Sequence, residues 1–439
     1  MTYLHTWLTR QVRISIMLSL FAIFFIVSPT VLMYTAGYRF DWATKQLKQT
    51  GVISIDILPK DAQIYLNNVL LEESLPIRLP NLAPGTYTVR FSASGYQDWQ
   101  KEITVESKKT SYLKDITLFK QTTPTKISEN DFSNIYFSHN AEYAVTTLNP
   151  KNKNEYNYQL NLLNLKNNNN QELLNIESNT QPTISWSTES NLVLIYTFLK
   201  NKYNLKIVNP DYANETQNYE FNEPIENWQW SNNSALYIYS NDGIIILNNN
   251  TSQEIYNNTS SLWFIDSEEK LWTINNNVLR KNNLAEINLG NNLEIKKIIN
   301  INKDQVLLQL NNEFLAIELN NKELKHNVPA QNIYFNTGTN EWLVYSPWEL
   351  WSVYQNGTTA LLTRTSESMG EILPLDNFGL LLIHSNNKLL GFNPGYYLTH
   401  ELLKDAEIKE LGVNLNLDLR KIFFSGKFAD QSGLFSLEY

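Results

Sequence analysis

Ile184-Ser-Trp-Ser-Thr-Glu-Ser-Asn-Leu-Val-Leu-Ile-Tyr-Thr-Phe-Leu-Lys-Asn-Lys-Tyr-Asn-Leu-Lys-Ile-Val208 is one copy of a pattern that fills most of this chain. A short aromatic strand, Ile184–Thr188, turns through polar residues into an apolar strand, Leu192–Thr197, and a hairpin then leads to Asn204–Val208. The same order recurs. Asn134–Asn140 precedes Tyr143–Val145, Trp228–Asn232 precedes Ala235–Tyr239, and Leu262–Asp266 precedes Lys270–Ile274. Ile298–Asn302 then leads to Gln305–Leu310, Ile333–Asn336 to Glu341–Tyr345, and Glu371–Pro374 to Leu380–His384, and a last copy runs from Leu415–Leu419 into Lys421–Ser425. Alternation with period two and polar turns between the runs mark these as strands and hairpins.

Copies lie about 35–45 residues apart, and two hairpins per copy make a four-stranded blade. One blade cannot bury both of its faces, whereas a ring of blades buries every inner face and leaves no long open edge. The expectation is a β-propeller of seven or eight blades, with the final strand from Gly433 to Tyr439 completing a blade with residues near 120–130. Trp186, Trp228, Trp230 and Trp263 sit in repeat register. That placement favours packing between blades over sugar-stacking platforms.

Near the start, the run from Ile14 to Met33 carries no charge. About twenty residues at 1.5 Å rise cross a hydrocarbon core of roughly 30 Å. Pro29 is tolerable because Ser28 and Thr30 help satisfy freed backbone groups. Tyr34, Tyr38 and Trp42 fall where an interfacial aromatic belt belongs. Arg10 and Arg13 precede the run, so the positive-inside rule puts the N-terminus in the cytoplasm and the body outside; Arg39, Lys45 and Lys48 on the far side oppose it. The apolar run exceeds that of a signal peptide, and Tyr34-Thr-Ala36 has a large residue where cleavage wants a small one. The reading is therefore an uncleaved anchor holding the chain to the lipid bilayer.

Residues 51–119 read as short alternating strands with Asn67-Asn68 and Leu82-Ala-Pro-Gly85 as turns. Several positions there form a recognisable set: Pro59 and Ala62 before Gln63–Leu66, Leu75-Pro76 before Leu79, Pro84-Gly85 with Tyr87 and Val89, and Gly95-Tyr96 with Trp99. On these residues the segment resembles the PEGA domain family, although the eponymous tetrad stands here as Pro59-Lys60-Asp61-Ala62. The resemblance implies a surface-exposed β-sandwich, structural or binding carbohydrate or protein, and implies no catalysis. The organisation expected is thus a cytoplasmic tail at 1–13, a transmembrane helix at 14–36, a juxtamembrane linker at 37–50, a PEGA-like β-sandwich at 51–119 with hairpin connections, and the propeller at 120–439.

Composition narrows the function. Charged residues make up 18% of the 439, below the usual soluble share of about 25%. Asn fills much of the gap, which fits a bias toward AT-rich codons. With 15 Gly in the chain, Asn also serves at hairpin tips needing positive φ. A net charge of −9 argues against nucleic acid as a partner. There is no Cys, so disulfides and thiolate chemistry are excluded. His5, His139, His326, His384 and His400 show no zinc spacing, and no nucleophile elbow, dinucleotide loop, phosphate loop or calcium loop occurs. No pattern asks for a cofactor. Asp242, Asp266 and Asp376 lie near strand ends, where Asp is common in turns. Three functions remain in contention: a membrane-anchored scaffold binding envelope polysaccharide or surface protein, a glycan-active enzyme with its site at the propeller pore, or an assembly factor for envelope proteins whose propeller edges pair with client strands. Two or more carboxylates converging with a Tyr or His at one pore mouth would favour the enzyme; a lining of Asn, Ser and aliphatic groups would favour the binder.

Overall fold

The computed structural model describes residues 9–41, 45–128, 133–148, 157–188, 190–212, 216–231, 235–240, 243–248, 251–257, 260–282, 284–290, 293–302, 304–319 and 324–439. The chain divides into two compact units, Met1–Gln121 and Thr122–Tyr439.

The first unit opens with helix α1, Arg10–Thr35. It is long and apolar enough to cross a membrane, and none of its residues is buried. A helix apolar on every side requires an apolar surrounding, which here the protein does not supply. It starts before the uncharged run, so Arg10 and Arg13 lie on its first turn. Thr30 Oγ1 donates to the Ile26 carbonyl at 2.9 Å, beside Pro29. The stretch expected as a linker is instead a hairpin, β1 (Tyr38–Asp41) paired with β2 (Gln46–Gln49).

Seven strands follow: β3 (Gly51–Leu58), β4 (Gln63–Leu66), β5 (Val69–Leu71), β6 (Ile77–Leu82), β7 (Gly85–Ser92), β8 (Trp99–Val105) and β9 (Thr110–Thr117). They form two sheets, β6-β3-β9 and β5-β4-β7-β8. Ile53, Ile55 and Ile57 alternate inward along β3, and Phe91 stacks on Trp99 with ring centroids 4.9 Å apart. Connections are not all hairpins, because β3 pairs with β9 in parallel. A parallel partner cannot be reached by a tight turn, and the intervening strands build the second sheet.

The second unit is a β-propeller. Its described residues form eight four-stranded sheets, which resolves the seven-or-eight expectation. Blades 1 to 7 run in sequence. Their innermost strands are Asn134–Phe137, Thr183–Trp186, Asn227–Trp230, Trp263–Ile265, Lys297–Ile301, Asn332–Asn336 and Met369–Pro374. Blade 8 is composite. Glu407–Asn416 is innermost, followed by Lys421–Phe428 and Gln431–Glu438, and Thr125–Ser128 from the start of the unit forms the outer edge. The final strand therefore closes the ring as expected, with Thr125 opposite Ser436 and Lys126 opposite Phe435. Asn414 Nδ2 donates to Ser138 O at 2.9 Å and Asn416 Nδ2 to Asn140 O at 3.0 Å, tying blade 8 to blade 1. Tyr439 is 2% exposed and its hydroxyl donates to Leu375 O of blade 7 at 2.8 Å.

The apolar clusters lie between blades. Val193 and Ile195 of blade 2 pack with Val145 and Leu160 of blade 1, while Leu194 between them packs with Leu236 and Ile238 of blade 3. The closing seam repeats this, with Phe423 and Leu434 of blade 8 against Ile135 and Leu163 of blade 1. At Gly433 a Cβ would lie 2.4 Å from Ser128 O, so the closing strands approach too closely for any side chain. Gly433→Ala should therefore cost about 1–3 kcal/mol, read as a lower midpoint in thermal unfolding of the full chain.

Candidate functional site

Each innermost strand runs into a turn capped by a Ser, Asn or Asp side chain. The Ser hydroxyls of blades 1 to 3 accept backbone N–H groups: Ser138 from Tyr143 at 3.0 Å, Ser187 from Leu192 at 3.2 Å, and Ser231 from Ala235 at 3.1 Å. Asp266 Oδ1 takes the N–H groups of Glu268 and Lys270, both at 2.9 Å. Asn302 takes Asp304 and Gln305 at 2.8 Å, and Asn336 takes Gly338 at 3.1 Å. Asp376 takes Phe378 at 2.8 Å and Leu380 at 2.9 Å, and Asn416 takes Leu419 at 2.9 Å. Short polar side chains compete well for nearby backbone donors, which fixes the turn at every pore-lining strand. Asp266 and Asp376 are thus turn residues. Asp242 and Trp42 lie outside the described residues.

These turns frame three recesses. The first, of about 360 Å³, gathers the innermost strands of blades 7, 8, 1 and 2 and is lined by Tyr136, His139, Ser185, Trp186, Glu371 and Asn414. Among the described residues Glu371 is the only carboxylate lining it, and its Oε2 accepts the Val413 N–H at 3.2 Å. Burial raises the Tyr136 phenol above its ordinary pKa and lowers the His139 imidazole below its own. A second recess of about 230 Å³ is lined by Gln229, Trp230, Phe264, Glu269 and Asn300. It shares Asp266 with a third, of about 510 Å³, lined by Glu268, Trp272, Lys281 and Glu286. Asp266 Oδ2 accepts Trp272 Nε1–H at 2.8 Å and lies 3.8 Å from Lys281 Nζ, so both of its oxygens are committed. Neither Glu371 nor Asp266 is presented as a proton donor or acceptor to a ligand. Among the described residues no group of three or more His, Asp or Glu is placed to hold a metal ion.

The tryptophans in repeat register work between blades. Trp186 Nε1 donates to Tyr136 O at 2.9 Å, Trp263 Nε1 donates to Asn227, and Trp228 lies 6.2 Å from the Tyr196 ring of the preceding blade. Gln229 spans the seam of blades 3 and 4, donating to Ile265 O at 2.7 Å and accepting the Ile265 N–H at 3.0 Å. Sequence reasoning passed over Gln229, Glu371 and the Ser and Asn caps, while Asp266 and Asp376 read as turn residues near strand ends. Only the caps left a signal, a Ser, Asn or Asp recurring at strand ends.

In the first unit, Tyr34 is exposed beneath the Arg39 guanidinium, 3.6 Å from its ring centroid. The Tyr38 hydroxyl accepts from Gln49 at 2.6 Å, and Lys108 Nζ lies 5.4 Å from the Tyr38 ring. The PEGA-like positions support the small domain. Pro59 O accepts the N–H of buried Ala62 at 3.2 Å, and the Tyr87 hydroxyl donates to Ala83 O at 2.9 Å, pinning the loop through Pro84 into Gly85. Gly95 O accepts the Gln121 N–H at 2.8 Å and Tyr96 bridges to Lys120, clasping the exit of the domain.

Residues 50–121 match the PEGA domain. No curated protein matches the chain in sequence. Several solved structures are similar to it. Sqt1 from Chaetomium thermophilum is 10% identical with a TM-score of 0.48, covering 72% of this chain and 100% of that one. The β-propeller domain of Cps50 (Swd1) from Myceliophteria thermophila is 9% identical with a TM-score of 0.43, covering 72% and 99%. The extracellular domain of a putative one component system from B. thetaiotaomicron is 10% identical with a TM-score of 0.35, covering 80% and 56%. At these identities the likeness is one of fold.

Two outcomes test this description. Gln229→Leu strands the Ile265 amide and carbonyl, and should cost about 1–3 kcal/mol in denaturant titration. Burial also holds His139, His384 and His400 below the ordinary value of 6.5. The unfolded chain then binds protons more readily than the folded one, so this contribution is present above pH 6.5 and lost as pH falls through it. The denaturation midpoint should drop between about pH 7.5 and 5.5, and His139→Gln with His400→Gln should flatten that drop.

Proposed function

We propose that this is a membrane-anchored, extracytoplasmic protein of the cell envelope, a binding or scaffold module for envelope polysaccharide or protein. The observation that carries the reading is α1, apolar on every side with no residue buried, leading into the PEGA domain and then the propeller. Arg10 and Arg13 on the first turn favour a cytoplasmic N-terminus. Tyr34 and Tyr38 then lie at the outer headgroup level, with Arg39 over one ring and Lys108 near the other. The first recess is lined by Asn, Ser, Trp and Tyr with one carboxylate, Glu371, held by the Val413 N–H. The second brings Asp266 and Glu269 together with Tyr237, and the third adds Glu268 and Glu286 beside Asp266, whose own oxygens are committed within the protein. The first recess, with its one carboxylate engaged, suits ligand capture better than glycosidic cleavage, which needs two carboxyl groups facing the scissile bond.

Fractionation of cells expressing the full chain tests the anchor. The protein should resist extraction by salt and carbonate, and protease added outside the membrane should digest the body. Recovery of a soluble chain beginning after residue 36 would overturn the reading. In pull-downs from envelope extract the detergent-solubilised protein should retain a polysaccharide or protein, and retention of neither would remove the binding role.

A further inference from the structure

We propose that the turns of blades 6 and 7 form a docking platform for a neutral polysaccharide. This narrows the proposed envelope-binding function to one ligand class and one place. In an antiparallel four-stranded blade the first and third turns leave at one end and the second at the other. Among the described residues of the propeller, the exposed large apolar side chains are Tyr212, Leu284, Trp348, Tyr354, Phe378 and Tyr397. All but Trp348 lie at the first-and-third-turn end, and Tyr354, Phe378 and Tyr397 cluster in two adjacent blades. Phe378 is 68% exposed and Tyr397 74%. Burying such rings is favourable, and among the described residues none does so.

Their surroundings indicate the ligand. The turns at 337–340, 355–358, 375–380 and 394–397 contain a single charged residue, Asp376, and its Oδ1 caps its own turn. In contrast, the first turn of blade 4 carries Asp266, Glu268, Glu269 and Lys270. The same turns carry the exposed residues Asn340, Asn356 and Asn377. Ring faces cover the C–H faces of sugars, and the Asn340 and Asn377 carboxamides offer a donor and an acceptor to adjacent hydroxyls. Asn356, whose Oδ1 accepts the Thr358 N–H at 3.0 Å and hydroxyl at 2.7 Å, offers its amide N–H groups. Phosphate- or carboxylate-bearing polymers would find no cation in these turns, on a chain with net charge −9.

The surface is also built in advance. A Cβ at Gly338 would lie 2.5 Å from Asn377 Cα, so the first turns of blades 6 and 7 abut backbone to backbone. Gln355 Nε2 donates to Asn340 O at 3.3 Å and joins the two turns of blade 6. Little ordering is left for the ligand to impose.

Affinity electrophoresis of the full chain, in a detergent without a sugar headgroup, tests the proposal. The gels contain dextran, pullulan, a β-glucan, a mannan or glycol chitin, with alginate as the anionic control. At least one neutral polymer should retard the protein and alginate should not. Phe378→Ala and Tyr397→Ala should each weaken retardation about tenfold at an unchanged thermal midpoint. Gly338→Ala, which wedges the two turns apart with both rings in place, should weaken it as well, and Trp348→Ala at the opposite end should not. Absence of retardation by every neutral polymer, equal retardation by alginate, or retardation indifferent to Phe378 and Tyr397 would overturn the proposal. If the same unretarded protein captured an envelope protein, the scaffold function would stand and this ligand assignment alone would fall.

Discussion

No blade of the propeller has a core of its own. Along a strand of period two, successive side chains face opposite neighbours, as Leu194 faces blade 3 while Val193 and Ile195 face blade 1. The apolar residues of a blade are therefore all buried only if both adjoining blades are present. The ring must close, and it closes by adding Thr125–Ser128 to three strands from the other end of the unit. That constraint explains why the tryptophans, Gln229 and the Asn414 and Asn416 carboxamides are all spent on seams. It also explains why the side chains free to meet a ligand sit at turns.

Much of this was legible in the sequence because it is local and periodic. The aromatic strand, polar turn and apolar strand of the first seven repeats fall where the structure puts the first two strands of blades 1 to 7, whereas the last, read at Leu415–Leu419, falls mostly on the turn after the Glu407–Asn416 strand; the final strand was readable as a closing strand. The Asn-rich turns read correctly too: Asn67, Asn68, Asn276, Asn277 and Asn386 all take positive φ. The PEGA motif was legible for a similar reason, since its residues hold turns such as those at Ala62 and Tyr87.

What was missed is non-local or depends on exposure. The hairpin of Tyr38–Asp41 with Gln46–Gln49 looked like a linker because its strands are four residues long, too short for the alternation of Tyr38 and Phe40 with Arg39 and Asp41 to stand out. Pairing β3 with β9 in parallel joins the two ends of a domain, which no turn signal announces. Glu371 and Asn414 share a recess with His139 only because the ring returns blades 7 and 8 to blade 1. The exposed Phe378 and Tyr397 are indistinguishable by composition from the many aromatic residues that pack between blades.

A cross-link across the closing pair tests the central claim most directly. The chain has no cysteine, so Thr125→Cys with Ser436→Cys introduces the only two thiols, at positions that face each other in the closed ring. Facing residues of an antiparallel pair have Cα atoms about 4.5–5.5 Å apart, within disulfide range. Mild oxidation of the folded full chain should link the two within one molecule and raise the thermal midpoint. Thiols that stay free and reactive in the folded protein, or that link only between molecules, would contradict a ring closed by its first and last strands.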